Sequence, residues 1–224
     1  IAQREDGSFA RHPLVYLVEA ADDICYQIMD LEDAFKLGIL HYDRIRALFQ
    51  NFFTEERIER FENTFTQVSD INEQISYLRA NVIGELIYRC IDIFKANYET
   101  IMAGTFAGSL IDELPGKQAA AMKEVQRISF GEIYAHRSVV EIEIAGYKII
   151  GTLLEEFVDA IMNTDKKDKY SQKILSLLPG QFKTDEDSVY LKIQSVVDFV
   201  SGMTDIFALD LYRKIKGISL PGVV

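Results

Sequence analysis

Residues 11–33 read RHPLVYLVEAADDICYQIMDLED, and the stretch decides how the rest of the chain is taken. Apolar side chains at Leu14, Leu17, Val18, Ala21, Ile24, Cys25, Ile28 and Leu31 recur in steps of three and four, the period of an amphipathic α-helix. Pro13 suits a first helical turn and no interior position. Gly38 supplies a stop, so a helix is predicted from Pro13 to about Lys36. The other side carries Glu19, Asp22, Asp23, Tyr26, Asp30 and Asp33. Asp22, Tyr26 and Asp30 are four apart and form a row along one face. Asp is a poor helix-interior residue, because its short side chain competes for backbone hydrogen bonds. Like charges with no Lys or Arg among them also repel. A divalent cation held by carboxylate oxygens would compensate, as would basic side chains from another element. The plain alternative is a solvated acidic face.

Outward from this helix, composition sets bounds. A length of 224 residues suits one domain or one large piece of one. The 48% hydrophobic and 26% charged content is that of a soluble globular protein. Only four Pro and thirteen Gly leave long uninterrupted segments, which favours helices over short strands and turns. The net charge of −11 excludes a general basic surface for nucleic acid. Lys166, Lys167 and Lys169 form one small basic cluster, and any nucleotide pocket must concentrate its own positive charge. Cys25 and Cys90 both fall in apolar helical patterns, the usual place for a buried, reduced thiol, and point to a cytoplasmic protein. No apolar run is long enough to span a membrane, and no signal peptide is visible.

Further along, residues 42–53 predict a short helix with Ile45, Leu48, Phe49 and Phe52 inward, and Thr54 caps another. Asp70 is expected to cap a long helix reaching about Met102, striped by Ile75, Leu78, Val82, Leu86, Cys90, Ile93 and Tyr98. Arg79 on this helix is either a snorkelling surface residue or the partner of a buried acid or phosphate. Residues 104–116 read as a loop. The segment 138–144, SVVEIEI, alternates like a strand, but no partner strand is evident and an isolated strand is unstable. It is assigned to a helix over about 130–163 with Ile133, Val140, Ile144, Tyr147, Leu154 and Val158 on one face. A helix over 170–178 stops at Pro179-Gly180. The next turns Tyr190, Ile193, Val197 and Val200 inward, and the last runs from its cap Thr204 to about Lys216, with Gly217 and Pro221 beyond. The expected fold is all-α.

EAADDICYQIMDLEDA resembles the signature helix of the deoxyguanosine triphosphate triphosphohydrolase family, a branch of the HD-domain metal phosphohydrolases. GMTDIFALDLYRKIKGISLP resembles that family's closing motif, and LRANVIGELI and IYAHRSVVEIEIAGYKII resemble family segments lying between, in the same order. The likeness runs from Arg11 to about Pro221 and implies an HD-domain-like helical fold. HD enzymes hold their metal with a His…His-Asp…Asp set. Here His12, His41 and His136 are none of them followed by Asp. The resemblance therefore makes Asp22 the last ligand, puts the others upstream of Ile1, and makes residues 1–224 the C-terminal portion of a longer enzyme, inactive alone.

The same likeness implies a divalent metal, Mg²⁺ or Mn²⁺ by the hardness of carboxylate oxygen, and a deoxynucleoside triphosphate as substrate. It implies hydrolysis to the deoxynucleoside and inorganic triphosphate, by metal-assisted attack of water on the α-phosphorus, in a homo-oligomer such as a hexamer. Tyr26 matches a tyrosine that approaches sugar and phosphates. Asp30 matches an acid at the deoxyribose 3′-hydroxyl. Tyr134 matches a tyrosine packed on deoxyribose, crowding out a 2′-hydroxyl. Glu143 is a candidate reader of a purine edge and His136 a candidate phosphate contact, and no further catalytic residue is assigned within the chain. There is no Gly-rich phosphate loop and no Ser-His-Asp arrangement. Two rival readings stand beside this one: an HD phosphohydrolase of another nucleotide, and a non-enzymatic helical scaffold.

Overall fold

Most helices form where the caps and periods place them, but Thr54 precedes its helix without a side-chain cap hydrogen bond, and the helix predicted over about 130–163 begins only at Arg137, after a π turn. A computed structural model describes residues 7, 9–163, 165, 167–184 and 187–219. The predicted opening loop through residue 6 and at Ser8, Lys166 of the basic cluster, residues 185–186 and Pro221 lie outside the described residues. Among the described residues the structure is helical and has no strand ladder; the all-α expectation holds, and the 138–144 segment is helix. No helix among them is long and apolar enough to cross a membrane.

The chain divides into two units, Ile1–His136 and Arg137–Val224, each with its own core. In the first, α1 (Pro13–Lys36) begins with His12 accepting from the Leu14 amide and ends before Gly38, whose φ of 73° suits glycine. It packs chiefly on α4 (Ile71–Ala96). Between them run α2 (Tyr42–Gln50), with Ile45, Leu48 and Phe49 buried, and α3 (Glu55–Phe65), with Phe61 buried. Asp70 caps α4 through the Asn72 and Glu73 amides. The long helix breaks at Asn97, earlier than predicted, and restarts as α5 (Tyr98–Met102). The loop after it contains Gly104 at φ 74°, where a Cβ would stand 2.5 Å from the Ala10 side chain, so only glycine fits. Then α6 (Gly116–Ile128) runs directly into a π-helical turn, Ser129–Ile133.

The inward face of α1 differs from the predicted stripe. Tyr16, Ala20, Ile24, Ile28, Leu31 and Ala34 are buried, whereas Leu14, Leu17, Val18, Ala21 and Cys25 are exposed. Apolar residues flank both sides of the helix near its start, so the period alone fits either face. Tyr16 breaks the tie: its hydroxyl donates to the Phe106 carbonyl at 3.0 Å and its ring meets Phe106 edge-on at 5.3 Å. Arg79 is the partner of a buried acid, donating to Glu32 at 2.5 Å.

The second unit contains α7 (Arg137–Met162), α8 (Lys169–Ser176), a short 3₁₀ turn (Gly180–Phe182), α9 (Val189–Ser201) and α10 (Asp205–Ile215). Thr204 caps α10 by accepting from the Phe207 amide. Two predicted faces are corrected here. The core takes α7 from Ile149 onward, through Leu153, Phe157 and Ala160, so Ile144 and Tyr147 stand exposed. In α9 the inward residues are Ser195, Val196, Phe199 and Val200, while Tyr190, Ile193 and Val197 are exposed. Phe199 sets that rotation, packing on Phe157 at 5.2 Å and Phe182 at 5.5 Å.

Candidate active-site face of the first unit

Asp22, Tyr26 and Asp30 lie one turn apart on α1, as their spacing requires. Asp22 is exposed and Tyr26 is 62% exposed, while Asp30 is half-buried. The Tyr134 hydroxyl donates to Asp30 Oδ2 at 2.5 Å, joining residues 104 apart in sequence. The Tyr26 and Tyr134 ring centroids are 6.4 Å apart, and Phe130 meets Tyr134 edge-on at 5.4 Å. Burial, and then the Asp30 carboxylate, raise the Tyr134 pKa, so this phenol stays protonated and remains a donor. The fold thus brings three of the candidate residues into one cluster with an acidic acceptor, a phenol donor and two aromatic faces.

Asp23 is half-buried, and burial pushes its carboxyl up, with Asp22, Glu19 and Asp112 adding in the same direction. Gln27, one turn further along α1, has a buried side-chain oxygen with no partner among the described residues. His136 is exposed at the end of the first unit, and Glu143 is exposed on α7 in the second. The cavity of about 560 Å³ at the start of α1, walled by Arg11, Leu14, Leu17, Phe94, Tyr98 and Met102 among others, includes none of the candidate residues.

Asp22 offers a metal one hard oxygen. Among the described residues no three of His, Cys, Asp and Glu converge to hold an ion. The donors present fit one ligand of a shared site and are too few for a whole one.

Sequence reasoning missed what presents Tyr134. The backbone N–H of Tyr134 donates to the Ser129 carbonyl at 2.8 Å, five residues back, which closes the π turn. Glu132 on this turn takes a two-pronged grip from Arg44 of α2, at 2.5 and 2.6 Å. The Arg44 contact holds the Glu132 carboxyl below its ordinary range. No motif marks a pair 88 residues apart, and a π turn has no periodic signal of its own.

The first unit is an all-α module that carries an acidic and aromatic face on α1. A family model described as a phosphohydrolase-associated domain matches residues 113–214. A deoxyguanosinetriphosphate triphosphohydrolase-like protein of Listeria monocytogenes is 36% identical over 93% of this chain and 50% of its own length. One from Synechocystis is 34% identical, over 95% of this chain and 46% of its own. A deoxyguanosinetriphosphate triphosphohydrolase of Yersinia pestis is 26% identical over 92% of this chain and 49% of its own. The chain spans about half the length of the curated relatives it matches. It belongs to the deoxyguanosinetriphosphate triphosphohydrolase-like family, as the motifs in the sequence imply.

Proposed function

We propose that residues 1–224 form the C-terminal helical portion of a metal-dependent triphosphohydrolase that converts a deoxynucleoside triphosphate, dGTP or a relative of it, to the deoxynucleoside and inorganic triphosphate. The observation that carries this reading is the Tyr134–Asp30 hydrogen bond beside the Tyr26 ring. It assembles, from residues distant in sequence, a small cluster suited to a sugar: a carboxylate accepts from a hydroxyl, and an aromatic face packs on the ring and crowds the 2′ position. In this reading Asp22 supplies one metal ligand from the same helix face, and the remaining ligands come from outside the 224 residues. The ion, when bound, supplies Lewis acidity at the phosphoryl oxygen and a lowered pKa for the attacking water. Asp30 and Tyr134 then fix the sugar, so that the α-phosphorus stands at a set distance from Asp22. Glu143 and His136 are assigned base and phosphate contacts on the strength of the motif alone.

The test is release of inorganic triphosphate from each of the four deoxynucleoside triphosphates with Mg²⁺ or Mn²⁺, by the full-length enzyme and its Asp22→Ala variant. Release that disappears in the variant supports the reading, and the panel names the base. Release from another nucleotide class alone replaces the substrate assignment. Turnover by the 224-residue chain alone overturns the divided metal site.

A further inference from the structure

Arg44 lies on α2, far in sequence from the cluster it serves. Its guanidinium holds both carboxylate oxygens of Glu132, at 2.5 and 2.6 Å. Glu132 sits inside the π turn, two residues before Tyr134. A π turn accommodates one residue more than an α turn, so whatever follows it is rotated by about 100° from the register of the preceding helix. Here the rotation decides where the Tyr134 ring points. Left to intrinsic preference, the segment has reason to relax to α geometry, since π turns are rare and persist where surroundings hold them. On one side the turn is anchored by the buried Ser129 and Ile133. On the other, Arg44 is the fixing point, with Arg127 only marginally in reach of Glu132 at 4.0 Å and itself forked onto Glu124 at 2.7 and 2.9 Å.

We propose that Arg44 is a positioning residue for the sugar pocket: by clamping Glu132 it holds the π turn that aims the Tyr134 hydroxyl at Asp30. The clamp rests on the sugar-pocket reading for its consequence and on geometry for its existence. The two-pronged grip fixes the direction of the Glu132 carboxylate, whereas a single ion contact constrains its distance alone. Arg44→Lys keeps the charge and loses the fork, so it should behave like Arg44→Ala. A double swap, Arg44→Glu with Glu132→Arg, rebuilds the fork in reverse.

Two measurements separate the clamp from the reading beneath it. The first needs no activity. The protein is labelled with 3-fluorotyrosine and the Tyr134 fluorine line is identified by its loss in Tyr134→Phe. In Arg44→Ala and Arg44→Lys that line should move and broaden while the circular dichroism and the other tyrosine lines hold, and the double swap should restore it. An unmoved line in Arg44→Ala overturns the proposal, and a Tyr134 line that moves in company with all the others reduces Arg44 to a general packing role and overturns it as well. The second is steady-state kinetics of the full-length enzyme. Arg44→Ala should raise KM for the deoxynucleotide about tenfold, leave kcat within about twofold, and lower the preference for deoxy over ribo substrate. An equal fall in kcat with KM and preference unchanged overturns positioning. If Tyr134→Phe itself leaves KM and preference unchanged, the sugar-pocket reading fails, and the clamp is then judged by the fluorine line alone.

Discussion

One helix holds two kinds of acid. Towards the end of α1, Glu32 is 3% exposed and ringed by donors: Arg79 at 2.5 Å, Ser76 at 2.7 Å and Lys36 at 3.3 Å. About two and a half turns earlier, Asp23 is half-buried in the company of Asp22, Glu19 and Asp112. The titration behaviour diverges accordingly. Burial pushes the Glu32 carboxyl up, but Ser76, Arg79 and Lys36 together outweigh it and bring it below its ordinary value of 4.5. Burial and neighbouring acids push Asp23 above its ordinary 3.8. The fold pairs the acid that sits in its packing; at the other end Arg11 pairs with Glu19, while Asp22 and Asp23 have no ion pair among the described residues. Uncompensated acid on a half-buried face is where an external cation or donor gains most.

The largest way to break this contrast is Arg79→Ala. Removing Arg79 leaves the buried carboxylate with only Ser76 and the exposed Lys36, and about 2 kcal/mol of stability should go in a denaturant melt. A loss below about 1 kcal/mol would make the two ends of α1 alike. The pair Arg79→Met with Glu32→Gln should recover most of it, since apolar and neutral groups of similar size remove the stranded charge. Next in size, Tyr134→Phe should cost about 1 kcal/mol, the worth of one hydrogen bond to a carboxylate on a half-buried face. No change there would mean that Asp30 is as well served by water.

Acid titration sharpens the contrast, because the two carboxyls act with opposite sign. The Glu32 contribution is fully present above 4.5 and is lost as pH falls through its depressed folded value. The Asp23 penalty is present above its raised folded value and is relieved as pH falls towards 3.8. Melting temperature followed from pH 7 down through this range should therefore fall less steeply in Glu32→Gln than in the parent. Asp23→Asn should be the more stable protein at neutral pH, by less than about 1 kcal/mol for a partly exposed group, with the advantage shrinking as the pH drops. The smallest effect is chemical. Cys25, exposed on α1, should react with a thiol reagent at neutral pH. Cys90, buried and pushed up to about 11 first by burial and then by Asp23, should react only on unfolding. Two equally reactive thiols in the folded protein would mean that the α1–α4 contact opens readily.

Much of the helix layout was legible along the chain. His12-Pro13 and Gly38 bracket α1, Asp70 starts α4, and Thr204 and Gly217 bracket α10, because caps and stops act on neighbours within four residues. Faces were less legible. The α1 stripe slipped round towards Leu14 and Val18 because apolar residues lie on both sides there, and only the Phe106 contact chooses Tyr16. Exposed Cys25 follows from the same slip. In α7 the periodicity was real, but Ile144 and Tyr147 belong to a stretch that lies outside its unit's core.

The candidate face shows the same division. Asp22, Tyr26 and Asp30 share a row by helix geometry alone, and the motifs nominate Tyr134. By itself, then, the sequence determined an all-helical chain, its caps, the acidic row and the family to which it belongs. Tertiary structure decided that Tyr134 meets Asp30 across 104 residues, that Arg44 meets Glu132 across 88, and that Glu32 gains Arg79 across 47. The physical reason is range: a helix and its ends are set by interactions within a turn, whereas the partner of a buried charge or phenol is set by packing between helices, on which local spacing carries no information.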